Sequence, residues 1–187
     1  PTRLPQSPEA MTITHSASQT IMDVNSIACN DGLSHSDNSY LRAFTLADFG
    51  IYADFTVSSV DIGIESASGA GGVQPVTDNL YTLNGPLVWA NMTLIGTVNT
   101  AVSDQNLTII NVPVTGVVPS GGTLVVEVFT PDGSIAGNLL FVGSNNLGET
   151  APTYLARIRT ACASPARTRA SRYPDLHMVM KVTGEVG

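Results

Sequence analysis

The sequence predicts an all-β fold, an antiparallel β-sandwich with jelly-roll-like connections. Short runs rich in Val, Ile, Thr and aromatic residues recur along the chain, and each is closed by Gly, Pro, Asn, Asp or Ser. No segment has a convincing helical pattern, so the strands must pair mainly antiparallel and form two packed sheets. Loops such as "ESASGAGGVQP" and "FVGSNNLGETAP" are long for simple hairpins, which disfavours the alternative of an up-and-down barrel.

Eleven segments have strand patterns. In "FTVSSVDIGIE" the apolar positions change phase near Ser58 and Ser59, which predicts a β-bulge. The nearest helical candidate, "TLADFGI", ends at Gly50 after barely one turn. We expect the first and last strands to lie in one sheet. In chain order the segments are "MTITH", "QTIMDV", "NSYLRAFTL", "FTVSSVDIGIE", "QPVTDNLYTL", "MTLIGTVNTAV", "LTIINVPVTG", "GTLVVEVFTP", "NLLFVGSN", "TYLARI" and "HMVMKVTGEV".

Acidic residues interrupt two of these strand patterns. "TLVVEVF" carries apolar residues on both faces and places Glu127 on one of them. In "PVTDNLYTL", Asp78 is in phase with Val76 and Leu80. We expect either that this face is wet at Asp78 or that the carboxylate has a cation or hydrogen-bond partner.

The composition is typical of an extracellular protein. Charged residues make up 12% of the chain, against about 25% in ordinary soluble proteins, and the chain is rich in Thr, Ser, Asn and Gly. We therefore expect an extracellular or cell-surface location. The net charge of −7 gives no electrostatic basis for binding nucleic acid. Five of the eight basic residues fall between Arg157 and Arg172, where we expect a solvated loop; a site for an anionic group is the alternative.

The chain length of 187 residues fits one domain with its own core. Residues 1–10 are rich in proline and are predicted to form an extended linker or tail, which leaves 11–187 as a single β-sandwich domain. No apolar run approaches the roughly 18 residues of a membrane-spanning helix, so no membrane span is expected.

The two cysteines, Cys29 and Cys162, are predicted to form a disulfide, because the composition indicates a secreted chain. If the sheets bring their two loops together, the bridge closes a long loop and contributes about 4 to 5 kcal/mol in the chain-entropy model. The alternative is a pair of buried free thiols.

Motifs for catalysis are absent from the sequence. It contains no G-x-S-x-G, H-E-x-x-H or C-x-x-C pattern. A glycosidase can be built from two carboxylates, and Asp61 with Glu65 or Glu127 would be a candidate pair. A polar strand face is the simpler interpretation of these residues, so we expect no enzymatic activity and no catalytic residues.

Several ordered blocks of the chain resemble a known module. They are "SDNSYLRAFTLADFGI", "FTVSSVDIGIESASGAGG", "PVTDNLYTL", "GGTLVVEVFTPDG", "FVGSNNLGETAPTYL" and "PDLHMVMKVTG". Together, from Thr14 to Gly184, they resemble a jelly-roll-like β-sandwich module that recurs in large secreted bacterial proteins, often beside peptidase or C-terminal sorting domains. The resemblance implies a non-catalytic accessory or structural domain, with Cys29 and Cys162 at the positions of the module's cysteine pair. The segment "RIRTACASPARTRASRYPDLH" departs from the pattern through its basic residues.

The predicted function is that of an accessory binding domain in a larger secreted or cell-surface protein. Its partner would be a glycan or a cell-surface polymer, bound by exposed aromatic residues. The candidates are Trp89, Tyr81, Tyr52 and Tyr173, and of these we predict Trp89 and Tyr173 as the ligand-binding residues. For each of these aromatics the alternative is packing in the core or a loop. The alternative function is a structural, self-assembling surface or filament subunit, in which the N-terminal tail joins an open sheet edge of another copy.

The stretch "ACNDGLSHSDNSYLRAF" concentrates side chains that carry oxygen. Calcium needs about six to eight oxygen ligands, which flexible loops can supply. The spacing lacks the EF-hand pattern, so a ligand from elsewhere is required, and "PDLH" before the last strand is the natural source. We predict a structural calcium held by Asp31, Asp37 and Asp175, and no other cofactor. The alternative is a metal-free loop whose Asp and Asn side chains bind backbone donors.

Overall fold

The computed structural model describes residues 9–29, 35–156, 166–167 and 173–187. Its strands form packed antiparallel sheets, as predicted. Two short 3₁₀ turns, Leu46–Phe49 and Trp89–Asn91, are the helical elements within these residues. The strands are β1 (Glu9–Thr14), β2 (Asn38–Thr45), β3 (Phe55–Gly69), β4 (Val73–Leu83), β5 (Met92–Ser103), β6 (Gln105–Val118), β7 (Thr123–Thr130), β8 (Asn138–Val142), β9 (Ser144–Asn145), β10 (Thr153–Ala156), β11 (Ala166–Arg167), β12 (His177–Met178) and β13 (Met180–Val186).

Two main sheets and one small ladder contain these strands. The first sheet has the order β1-β13-β3-β6, and β8 also pairs with β3. The second has the order β11-β10-β2-β7-β4-β5, and β12 pairs with β9. The first and last strands are neighbours in one sheet, as expected, from Glu9 opposite Val186 to Thr14 opposite Lys181. β1 starts two residues before the predicted start of the domain.

The core lies between the two main sheets, because alternate residues of each strand point inward. A large apolar side chain contributes about 1.5 to 3 kcal/mol to the stability of the fold when it is fully buried. Among the largest fully buried apolar side chains are Ile13, Phe44, Leu46, Phe55, Ile62, Leu80 and Leu124.

Two predicted local features are confirmed. The pairing of β3 with β6 shifts register between Val57 and Ser59, which is the bulge that the phase change predicts. The turn Leu46–Phe49 ends at Gly50, whose φ of 73° lies in the left-handed region that glycine adopts without steric cost.

One predicted strand is wrong. The segment "QTIMDV" forms no ladder, and its chain turns at Asp23 and Val24. Val24 has a φ of 57°, a left-handed conformation that interrupts an extended strand. Isolated bonds hold the segment instead: the Met22 amide donates to the Ser144 carbonyl, and the Asn145 side chain donates to the Thr20 carbonyl.

A buried ion pair fixes one region of the sandwich interior. The guanidinium of Arg42 on β2 lies 2.7 Å from a Glu149 carboxylate oxygen, and both side chains are fully buried. Arg42 also donates to the Ser16 hydroxyl and to the carbonyls of Ala151 and Met178. Burial lowers the pKa of Arg42 to about 10, and Glu149 opposes that shift. Arg42 thereby connects β2 to three other segments of the chain.

Within the described residues, the structure contains no helix with the length and apolar character needed to cross a membrane.

Candidate ligand-binding site

The outward face of the second sheet carries its own apolar cluster. Leu41 of β2, Val125 of β7 and Ala156 of β10 are buried there, away from the main core. The segment between β4 and β5 contributes Leu87 and Trp89 to the same cluster. Side chains on an uncovered sheet face would instead be polar and solvated. This face is therefore partly covered, and the cover forms one side of a pocket.

We call this cavity the outer pocket. It has a volume of about 330 Å³, at the small end of the range for ligand pockets. Strand register explains its lining: Asn79 on β4 is directly opposite Glu127 on β7, and the side chains two positions along each strand share their face. Trp89 comes from the 3₁₀ turn before β5. The lining residues are Asn79, Tyr81, Trp89, Glu127 and Phe129.

Glu127 is the charged group of the outer pocket and is 3% exposed. One carboxylate oxygen accepts a hydrogen bond from the Ser39 hydroxyl at 2.5 Å. The other accepts from the Asn79 amide at 2.9 Å and from the Tyr81 hydroxyl at 2.7 Å. All three donors are neutral, and bonds of this kind stabilise a carboxylate. The negative charge is thus held in place by uncharged neighbours.

Tyr81 serves as a hydrogen-bond donor in this network. Burial, followed by the charge of Glu127 and the hydrogen bond to it, raises the pKa of Tyr81. The phenol therefore keeps its proton and continues to donate to the carboxylate at physiological pH.

Asp78 lies on the opposite side of β4 from the outer pocket. It is 0% exposed, and neither carboxyl oxygen has a hydrogen-bond partner among the described residues. Neither of the two expected environments, a wet face or a cation or hydrogen-bond partner, is found at Asp78 among the described residues. Burial, with a smaller contribution from Glu127, raises the pKa of Asp78 to about 7. Burial therefore favours the neutral, protonated form of this group.

The two predicted ligand-binding aromatics lie in different cavities. Trp89 lines the outer pocket. Tyr173 lines a second cavity of about 250 Å³, formed by residues 24–27 and 173–176. The two aromatics therefore do not form one binding surface. Asp175 also lines the second cavity, and its backbone carbonyl accepts a hydrogen bond from the Asn25 side chain at 3.3 Å.

The three predicted calcium ligands are described only in part. Asp31 lies outside the described residues, Asp37 is half-buried and Asp175 is exposed. Across the described part of the chain, no group of three or more His, Cys, Asp or Glu residues is placed to hold a metal ion. Asn38 next to Asp37 binds backbone instead, accepting from the Cys29 amide at 2.6 Å. The calcium site stays a prediction.

The predicted disulfide and the basic cluster also reach beyond the described residues. Cys29 is half-buried, and Cys162 lies outside the described part of the chain. The bridge therefore stays a prediction. Of the cluster between Arg157 and Arg172, the structure describes only the short strand β11.

Sequence reasoning missed most of the outer pocket. The alternation in "TLVVEVF" places Glu127 and Phe129 on one face, and the same alternation in "DNLYTL" places Asn79 and Tyr81 together. What the sequence does not contain is the register between β4 and β7, which makes these two pairs neighbours. Without that register, Glu127 looks like a solvated strand residue.

Comparisons with known proteins identify a similar fold but no family. No protein-family model matches the chain, and no curated protein matches it. A solved structure of a clostridial cysteine protease, Cwp84, after propeptide cleavage has a similar fold, with a TM-score of 0.64 at 12% identity. The match covers 98% of this chain and 41% of that chain, so this chain spans about two fifths of the protease structure.

A second solved structure, of infectious bursal disease virus Gx strain, aligns with 97% of this chain and 37% of its own at 13% identity. Its TM-score is 0.29, which is too low to carry an argument. At these identities the likeness to the protease supports the all-β fold alone.

Proposed function

We propose that this chain is a non-catalytic accessory domain of a larger secreted or cell-surface protein, and that it binds a glycan or a cell-surface polymer in the outer pocket. One observation carries the proposal: three aromatic side chains and a fixed carboxylate line a cavity on the outward face of a sheet. Aromatic rings with a few converging polar groups are the usual components of a small-ligand site.

The polar groups of the outer pocket favour binding over hydrolysis. Glycoside hydrolysis requires two carboxyl groups on either side of the bond that breaks. Glu127 is the one carboxylate among the described residues that line the outer pocket. Both of its oxygens already accept hydrogen bonds from protein donors, which suits a fixed recognition group better than a proton donor.

The extracellular location is part of the proposal. Its support is the low content of charged residues, 12% of the chain, in an all-β fold. The similarity to part of a larger protease structure agrees with a domain that works beside others. Structural calcium at Asp31, Asp37 and Asp175 belongs to the same proposal, and it requires that excess EDTA lower the melting temperature relative to calcium-saturated protein.

A retention assay on insoluble polysaccharides tests the proposed function. The wild-type chain should be retained by at least one polysaccharide, and Trp89→Ala should reduce that retention because it removes an aromatic wall of the outer pocket. Tyr52→Ala is the matched control, since Tyr52 is 75% exposed and does not line the pocket. Equal loss in both variants, or no retention of the wild type on any polymer, would contradict the proposal.

Strand exchange between copies is a second candidate function. β1 lies at the edge of its sheet, pairs there with β13, and contributes the buried Ile13 to the core. An edge strand that fills part of the core is the element that swapped subunits exchange. Deleting residues 1–10 and comparing the products by size exclusion and electron microscopy tests this idea. Unchanged assembly would show that the tail takes no part in strand exchange.

A further inference from the structure

We infer that the outer pocket recognises a protonated amine, and that its ligand is a glycan built from amino sugars with free amino groups. This inference rests on the proposed function and names the ligand of the same site. It follows from the charge of Glu127, from the aromatic walls around it and from the polar surface beside it.

Glu127 has no counter-ion among the described residues. Among the described residues, the ion pairs join Arg42 with Glu149 and Lys181 with Asp61, and Glu127 takes part in neither. Its charge is stabilised by Ser39, Asn79 and Tyr81, so folding does not require a cation there. A carboxylate that lines a cavity without a positive partner favours a ligand that brings one.

The walls of the outer pocket are mainly aromatic. Tyr81, Trp89 and Phe129 line the cavity together with Glu127. The faces of aromatic rings attract cations, and cages that combine aromatic rings with a carboxylate are suited to ammonium groups. A neutral ligand would gain contact with the rings but would leave the carboxylate without a charged partner. The pocket therefore distinguishes an amine from its neutral acetylated form.

A polar surface continues from the outer pocket along β4 and β5. Thr77 pairs with Asn99, and Asn79 pairs with Thr97. The Thr77 hydroxyl donates to Asn99 at 2.8 Å, and the Thr97 hydroxyl donates to Asn79 at 2.7 Å. Neutral hydroxyl and amide groups in a row suit the hydroxyls of a sugar chain. This surface favours a glycan over a basic peptide as the carrier of the amine.

The overall charge of the chain supports the same ligand. A net charge of −7 attracts a polycation at long range and raises its local concentration. The effect weakens with salt, so the specific contact at Glu127 must be separated from this general attraction.

Calorimetric titration of the whole chain in mildly acidic buffer tests the inference. The titrants are glucosamine oligomers, N-acetylglucosamine oligomers of equal length, and oligolysine. The wild type should bind the glucosamine oligomer roughly 10- to 100-fold more tightly than the acetylated one, the range for a hydrogen bond to a charged group. Oligolysine should bind weakly, because it has no sugar hydroxyls for the strip on β4 and β5.

Glu127→Gln should abolish the preference for the free amine. Glutamine keeps an oxygen for the Asn79 and Tyr81 donors, and the Ser39 hydroxyl can rotate to accept from the new amide. Glu185→Gln is the matched control, because it removes the same charge from an exposed position on β13 and should keep the preference. Trp89→Ala, which leaves the donors to Glu127 intact, should weaken binding of the glucosamine oligomer.

Each contrary result has a separate meaning. Equal affinity of the wild type for the two glycans would overturn the inference but leave the proposed function standing. Oligolysine binding as tight as glucosamine binding would overturn the glycan as the carrier. Equal loss in Glu127→Gln and Glu185→Gln would assign binding to general charge and overturn the site. Binding to none of the three titrants would contradict this inference, whereas the polysaccharide assay above decides the proposed function.

Discussion

Replacing Asp78 with asparagine should flatten the pH dependence of stability. Asp78 is fully buried, and its carboxyl oxygens have no hydrogen-bond partner among the described residues. Burial is the main reason that its pKa rises to about 7, and the charge of Glu127 adds to it. In the unfolded chain the carboxyl returns to its ordinary value of 3.8. The folded state therefore holds the proton more tightly than the unfolded state.

The size of the effect follows from these two values. A carboxyl with a raised pKa contributes stability that is complete below the unfolded value and is lost as the pH rises through the folded value. The interval from 3.8 to about 7 is about three pH units, and each unit corresponds to ~1.4 kcal/mol. Ionised Asp78 should thus cost the fold up to about 4 kcal/mol above neutral pH.

Chemical denaturation of the wild type and Asp78→Asn across this pH range measures the effect. Near pH 3, below the unfolded value of 3.8, the two proteins should have similar free energies of unfolding, because Asp78 is neutral in both the folded and the unfolded state. Near pH 5 the unfolded wild type is already ionised, so the variant should be ahead by roughly 1 to 2 kcal/mol. Near pH 8 the variant should be the more stable protein by up to about 4 kcal/mol. Asp23→Asn, at an exposed position, controls for the change in net charge. Parallel stability curves for the wild type and Asp78→Asn would refute this account of the buried carboxyl.

Three further predictions concern the framework of the sandwich. Arg42→Met should lower the free energy of unfolding by roughly 3 to 5 kcal/mol in denaturant titrations, because it leaves Glu149 buried without its partner; a loss below ~1 kcal/mol would contradict this. Gly184→Ala should lower the free energy of unfolding by about 1 to 3 kcal/mol, because a Cβ there would overlap a carbonyl oxygen of β3. Gly71→Ala, whose Cβ would enter open space, should leave the free energy of unfolding nearly unchanged. Alkylation of unreduced, unfolded protein should label neither cysteine in mass spectra; two labelled thiols would exclude the disulfide.

Strand patterns were sufficient to predict the fold class, because burial on one face of a strand leaves a period of two in the sequence. "FTVSSVDIGIE" became β3, and its change of phase corresponds to the bulge between Val57 and Ser59. "QTIMDV" failed because apolar content alone does not reveal the left-handed conformation of Val24.

The sequence pointed to the outer pocket through two of its aromatic residues, Trp89 and Tyr81. Its other components depend on which strands are neighbours and in what register, and that information is long-range. Glu127 illustrates the difficulty: one strand pattern cannot show that Ser39, Asn79 and Tyr81 from two other strands converge on its carboxylate. For Asp78 the sequence showed the inward phase, but it did not show that the described residues supply no hydrogen-bond partner.

The most direct test of the central claim is an amide NMR titration of the ¹⁵N-labelled chain with a glucosamine oligomer. We predict saturable shifts at residues of the outer pocket, in particular Asn79, Glu127 and Phe129, with smaller shifts continuing along β4 and β5. The second cavity around Tyr173 should stay unperturbed. Shifts that centre on residues 24–27 and 173–176 instead, or a spectrum that does not change at saturating oligomer, would contradict the assignment of the outer pocket as the binding site.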